Sequence, residues 1–255
     1  MKKFKPVLDA LILEIRYDFG NLYYDRCGLC LNDIEESRQG WHAILASNNT
    51  GQLEDPEHNF IVSFSNRKYD FTANKIESSG TNIPTIIDEA NHIWKIIQAN
   101  LGLTEFTRIG CRVHYLLATE SIEQAEKLIL KSDFKLDFNA VFKDYDVRTY
   151  NIIAMLKKVP FEYRIELSSI IRGESINPDR IIKGDVRYFS NQQKQFYISQ
   201  QKQLSAYNTN PMYAIMLDVD CYHTYPESIS IPDFITKQTN IIIADFLPIL
   251  DNLCK

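Results

Sequence analysis

Two segments of this chain read as strands whose faces differ sharply in character, and they constrain the fold more than anything else in the sequence. In Phe106 to Ala118, Ile109, Cys111, Val113, Tyr115 and Leu117 alternate with Arg108, Gly110, Arg112 and His114. Side chains along a strand point to opposite faces in turn, so one side belongs in a core and the other carries two arginines. Met212 to His223 repeats the arrangement with the opposite sign. There Tyr213, Ile215, Leu217, Val219 and Cys221 are apolar, while Asp218 and Asp220 share the other face. A third stretch, Leu8 to Tyr17, sets Leu11, Leu13, Ile15 and Tyr17 against Glu14 and Arg16. Three such strands side by side would make a sheet with a dry face and a charged face.

Between them the apolar period changes. Ile83, Ile86, Ile87, Ala90, Trp94, Ile97 and Leu101 recur at three- and four-residue steps, which predicts a helix over Pro84 to Leu101 with Gly102 closing it. Ser230 and Asp233 predict the start of a second long helix, Ile231 to about Leu253, interrupted or ended at Pro248. A shorter helix is expected after Ser121, where Gln124 completes a capping box. Phe60 to Phe64 and Tyr69 to Ala73 flank a polar turn and read as a hairpin, and Ile181 to Phe189 with Gln195 to Gln201 form a second candidate. Residues 18–59 are polar and irregular, and are read as loops with a short element near Trp41 to Ala46. The expectation is an α+β fold, an antiparallel sheet covered by two long amphipathic helices. It is read as a single domain over 1–255, with two similar halves, 1–146 and 147–255, as the alternative division.

Composition narrows the function classes. A formal net charge of −5 removes the simplest case for nucleic-acid binding, which requires a concentrated basic surface. The opening lysines are followed by an apolar run broken by Asp9 and Glu14, which reads as a strand and not as a secretory signal. No run of 18 apolar residues suggests a membrane span, and five cysteines without a signal point to free thiols in the cytoplasm.

Glu14-Ile15-Arg16, Arg108-Ile109-Gly110-Cys111-Arg112 and Leu217-Asp218-Val219-Asp220, in that order ahead of a long C-terminal helix, resemble the motifs of a sporadically distributed prokaryotic family without an assigned activity. Its members read E-I-R-F, R-I-G-x-R-Y and L-D-I-D. The chain departs from them in lacking a proline-rich opening and in carrying His114-Tyr115. The resemblance implies a cytosolic bacterial protein whose genes lie in patchy neighbourhoods, some of them holding anti-phage defence genes.

The candidate site is therefore the polar sheet face: Glu14, Arg16, Arg108, Arg112, Asp218 and Asp220. Three readings stay open for it. It could be a cross-strand charge network, a groove or partner surface in which arginines receive carboxylates or phosphates, or a Mg²⁺ site on Asp218 and Asp220 with Glu14 and His223 in support. Cys27-Gly-Leu-Cys30 is half of a zinc site, a redox pair or two unpaired thiols in a turn. No nucleophile elbow and no phosphate-cradling glycine loop is present, so no catalytic residue and no cofactor is assigned. The expected role is a non-enzymatic recognition or assembly subunit whose partner is another protein, encoded by a neighbouring gene, with homo-oligomerisation also open. A metal-dependent nuclease or other phosphoryl-transfer enzyme centred on Asp218 and Asp220 is the alternative.

Overall fold

The structure, a computed structural model, describes residues 5–131, 151–172 and 212–253. The second hairpin candidate, the expected boundary within 134–146 and Cys254 lie outside the described residues. Nine strands form one sheet: β1 (Val7–Tyr17), β2 (His42–Ala46), β3 (Gly51–Asp55), β4 (Phe60–Phe64), β5 (Lys68–Asn74), β6 (Phe106–Thr119), β7 (Asn151–Lys158), β8 (Phe161–Arg172) and β9 (Met212–Thr224). Their spatial order is β2-β3-β4-β5-β1-β6-β9-β8-β7, and every neighbouring pair is antiparallel. The three strands with one charged face thus sit together at the centre. Because β6 pairs with β9 along nearly its whole length, the sheet runs without a break from the first part of the chain into the second.

The helices are α1 (Tyr23–Ser37), α2 (Ile76–Ser79), α3 (Ile83–Leu101), α4 (Ile122–Lys131), α5 (Ile231–Ile241) and α6 (Pro248–Leu253). Helix α3 follows its sequence signals. Asn82 Oδ1 accepts from the Thr85 N–H at 3.0 Å, Pro84 stands in the first turn, and Gly102 leaves the helix at φ 63°. Its buried stripe of Ile86, Ala90, Ile93, Trp94, Ile97 and Leu101 meets Leu11, Leu13, Ile15, Tyr69 and Phe71 in one core. Burial of each large apolar side chain there contributes roughly 1.5–3 kcal/mol. The C-terminal helix is interrupted before Pro248, as its sequence predicts. Proline has no N–H and its ring crowds the carbonyl four residues back, so the turn before Pro248 widens into a π-helical stretch, Ile242–Phe246, where the Leu247 N–H reaches Ile242 O at 2.9 Å.

Two expectations are corrected. Two long helices do not make the cover alone, because α1 packs on β2, β3 and α3, and α4 packs on β8, β9 and α6. Within 18–59 the short element expected near Trp41 to Ala46 is β2, but the expected loops around it are largely α1 and β3. In α1 the apolar positions Tyr23, Cys27, Cys30, Leu31 and Ile34 keep helical spacing, but Gly28 in their midst reads as punctuation. Gly28 lies where an added Cβ would touch nothing, so it costs the helix about 1 kcal/mol without ending it. Strand β3 contributes a single buried aliphatic side chain, Leu53, and Gly51 is required there because a Cβ would sit 2.7 Å from the Phe64 ring. Among the described residues no helix is long and apolar enough to cross a membrane.

Candidate functional site

The alternation that buries Leu11, Leu13 and Ile15 of β1, Ile109, Cys111 and Val113 of β6, and Leu217, Val219 and Cys221 of β9 places their neighbours on the opposite face. Register then aligns them in rows. Ile12 faces Arg112, Arg112 faces Asp220, and Asp220 faces Arg164 on β8. The next row runs Asp70, Glu14, Gly110, Tyr222, Glu162 across β5, β1, β6, β9 and β8. All six residues expected at the candidate site lie on this face, with Arg16 and Arg108 paired one row beyond Glu14 and Gly110, and Asp218 one row beyond Asp220 on the other side. Sequence reasoning left out Asp70, Arg164, Glu166 and Tyr222, which the register adds; Arg164 and Glu166 were readable as one polar strand face, but nothing in the sequence says which strand lies beside β9.

The guanidinium groups reach along diagonals and not straight across. Arg112 directs Nε and a terminal nitrogen at the two oxygens of Asp218, with Nε to Oδ1 at 2.8 Å. Arg164 bonds Glu166 on its own strand and lies 3.7 Å from Asp218. The Asp218 carboxylate is wholly buried, so its loss of water is offset inside the protein by this forked pairing. His114 Nε2 completes the corner, 3.5 Å from Asp218 Oδ1 without a hydrogen bond. Burial pushes the His114 imidazole below its ordinary range, and Arg112 adds to the effect while Asp218 opposes it.

One row away the arrangement loosens. Arg108 lies 3.2 Å from Asp220 Oδ2 and 3.6 Å from Glu14 Oε1, and stacks over Tyr222 with its guanidinium carbon 4.3 Å from the ring centroid. Glu14 also accepts two bonds from Arg16, at 2.8 and 3.1 Å. Gly110 lies between Arg108 and Arg112 on the same face, and its missing side chain leaves a depression of about 220 Å³ walled by Glu14, Asp70, Arg108, Arg112 and Asp220. Here Arg108 is divided between two carboxylates, one of them shared with Arg16, and its Nε has no partner. Asp220 is pushed above the ordinary carboxylate range, first by burial and then by Asp218 and Glu14, against the pull of Arg108 and Arg112.

The donor set does not resemble a divalent-metal centre. Asp218 has both oxygens occupied by Arg112, and His223 stands on the other face of β9, with its ring against Phe161. Among the described residues no three His, Cys, Asp or Glu side chains are grouped to hold a metal ion. Cys27 and Cys30 are not in a turn but one helical turn apart on α1; Cys27 lies 3.5 Å from the Tyr23 hydroxyl, and burial pushes the Cys30 thiol up to about 12. On the dry face Cys111 and Cys221 stand opposite each other as free thiols, and Cys221 and Tyr163 both donate to Gln238 Oε1 of α5, a buried polar contact with no sequence signature.

No protein-family model matches the chain, and no curated protein matches it.

Proposed function

We propose that this chain is a non-enzymatic recognition or assembly subunit of a bacterial multi-protein complex, acting in the cytoplasm, and that the polar sheet face receives the partner. The observation that carries this reading is the depression at Gly110, set in a lattice whose side chains are already ordered by one another. Ordered side chains lose less conformational entropy when a partner arrives, which favours binding over a surface of free lysines and glutamates. The charges are matched: the four arginines described above each contact at least one carboxylate. A polyanion would have to displace those carboxylates, whereas a protein surface carrying both signs can add to the lattice without dismantling it. The motif resemblance supplies the setting, a complex encoded in a neighbourhood of anti-phage defence genes.

The test is native mass spectrometry of the tagged chain produced together with its neighbouring genes. The expected result is a mass made of this chain and another protein, lost on Arg108→Glu and on Gly110→Val. A Cβ at Gly110 meets its nearest neighbours at an ordinary 3.5 Å, so a side chain can start there without displacing the strand. A lone chain carrying Mg²⁺, Zn²⁺ or a nucleotide would overturn the proposal.

A further inference from the structure

The two outer strands of the sheet are guarded differently. Strand β2 is only five residues long and slips register between Ala43 and Leu45, a bulge that spoils its outer edge as a template. Strand β7 has neither protection. It pairs with β8 through eight consecutive residues without a shift, and among the described residues nothing pairs with its outer side. It also exposes Ile153 (54%), Met155 (60%) and Leu156 (45%), and its charges, Lys157 and Lys158, are confined to one end. A long, regular, apolar edge whose outer backbone groups pair with nothing among the described residues is a site for another strand.

We infer that this strand is the second copy's β7, paired antiparallel about a two-fold axis through Ala154. The sequence of the strand selects that occupant. A two-fold axis normal to the sheet pairs residues of equal parity, and centring it on Ala154 sets Ile153 against the copy's Met155, Ile152 against its Leu156 and Asn151 against its Lys157. Every apolar residue from 152 to 156 then meets an apolar residue. Moving the centre to Met155 would place Lys157 on Ile153, and moving it to Ile153 would place Asn151 on Met155. The Ala154 register also keeps the lysine ends of the two strands apart by about 20 Å at about 3.4 Å per residue. That is beyond the screening length of about 8 Å at physiological salt, so the like charges do not oppose pairing. The sheet becomes continuous across the two copies, and the polar faces of both lie on the same side. The inference does not depend on what binds at Gly110.

Sedimentation velocity on the full chain alone, over a range of concentrations, gives twice the 29.7 kDa chain mass if the inference holds. Ile153→Lys with Met155→Lys, both at exposed positions, returns the mass to that of one chain while leaving the circular dichroism spectrum unchanged and removing the concentration dependence of the melting midpoint. Ala154→Cys forms a covalent dimer under mild oxidation, because opposed residues of an antiparallel pair lie within disulfide reach, while the parent chain does not. A parent chain that stays monomeric, a dimer that survives the lysine pair, or an Ala154→Cys chain that fails to cross-link would overturn the inference.

Discussion

The Asp218 corner and the Gly110 depression are neighbouring parts of one charged face, built from the same strands and the same residue types, yet they are finished differently. At Asp218 a buried carboxylate is held by both nitrogens of one arginine and approached by a second. At Gly110 one arginine is divided between two carboxylates at longer range, and an open space remains beside it. Identical chemistry thus gives a structural clamp where one carboxylate is sealed and held by a fork, and an open depression where the contacts are longer and divided.

The sharpest way to break this comparison is to remove the clamp. Arg112→Ala leaves Asp218 buried and without its forked donor, and should lower unfolding stability by about 3–5 kcal/mol in urea titrations. Arg108→Ala, which breaks only longer contacts at the depression, should cost well under half of that; equal losses would mean that the two regions do not differ. Next in size are two pH effects of opposite sign. The neutral form of His114 is favoured by folding, so its contribution is present above the imidazole's unfolded value and is lost as pH falls through the lowered folded value. Wild type should therefore lose stability on acidification relative to His114→Gln. Asp220 runs the other way: its folded value is raised, so the penalty of ionising it is absent at low pH and grows as pH rises through that value. Relative to wild type, Asp220→Asn should gain stability from pH 4 to pH 7, and a loss over that range would show that Arg108 compensates the charge in full. The smallest effect belongs to Arg16, half-exposed and paired within its own strand, where Arg16→Ala should change stability by less than about 1 kcal/mol.

How much of this could be read in advance follows from which signals are local. The face shared by Glu14 and Arg16, by Arg108 and Arg112, or by Asp218 and Asp220 follows from spacing alone, because strand parity is fixed by the backbone. Helix α3 was legible to within a residue because its cap, its period and its closing glycine agree. Neighbour relations were not legible. That Arg112 reaches Asp218 while facing Asp220 depends on strand order, register and side-chain length together. Helix α1 was lost because Gly28 and two cysteines suggest a turn when the packing that tolerates them is unseen, and β3 because glycine and aspartate occupy two of its three buried positions.

The order of the central strands also governs when the charged face can exist. Arg108 and Asp220 are 112 residues apart in the chain, and Arg112 and Asp218 are 106 apart. At translation rates of about 5–20 residues per second, the arginines of β6 leave the ribosome some ~5–20 s before their carboxylates do. During that interval Arg108 of β6 has Glu14 of β1 beside it, but Arg112 has not yet met the carboxylate that pairs with it. Only when β9 arrives does Arg112 meet Asp218 and the depression gain its Asp220 wall, so the charged face cannot be completed in a chain that lacks β9.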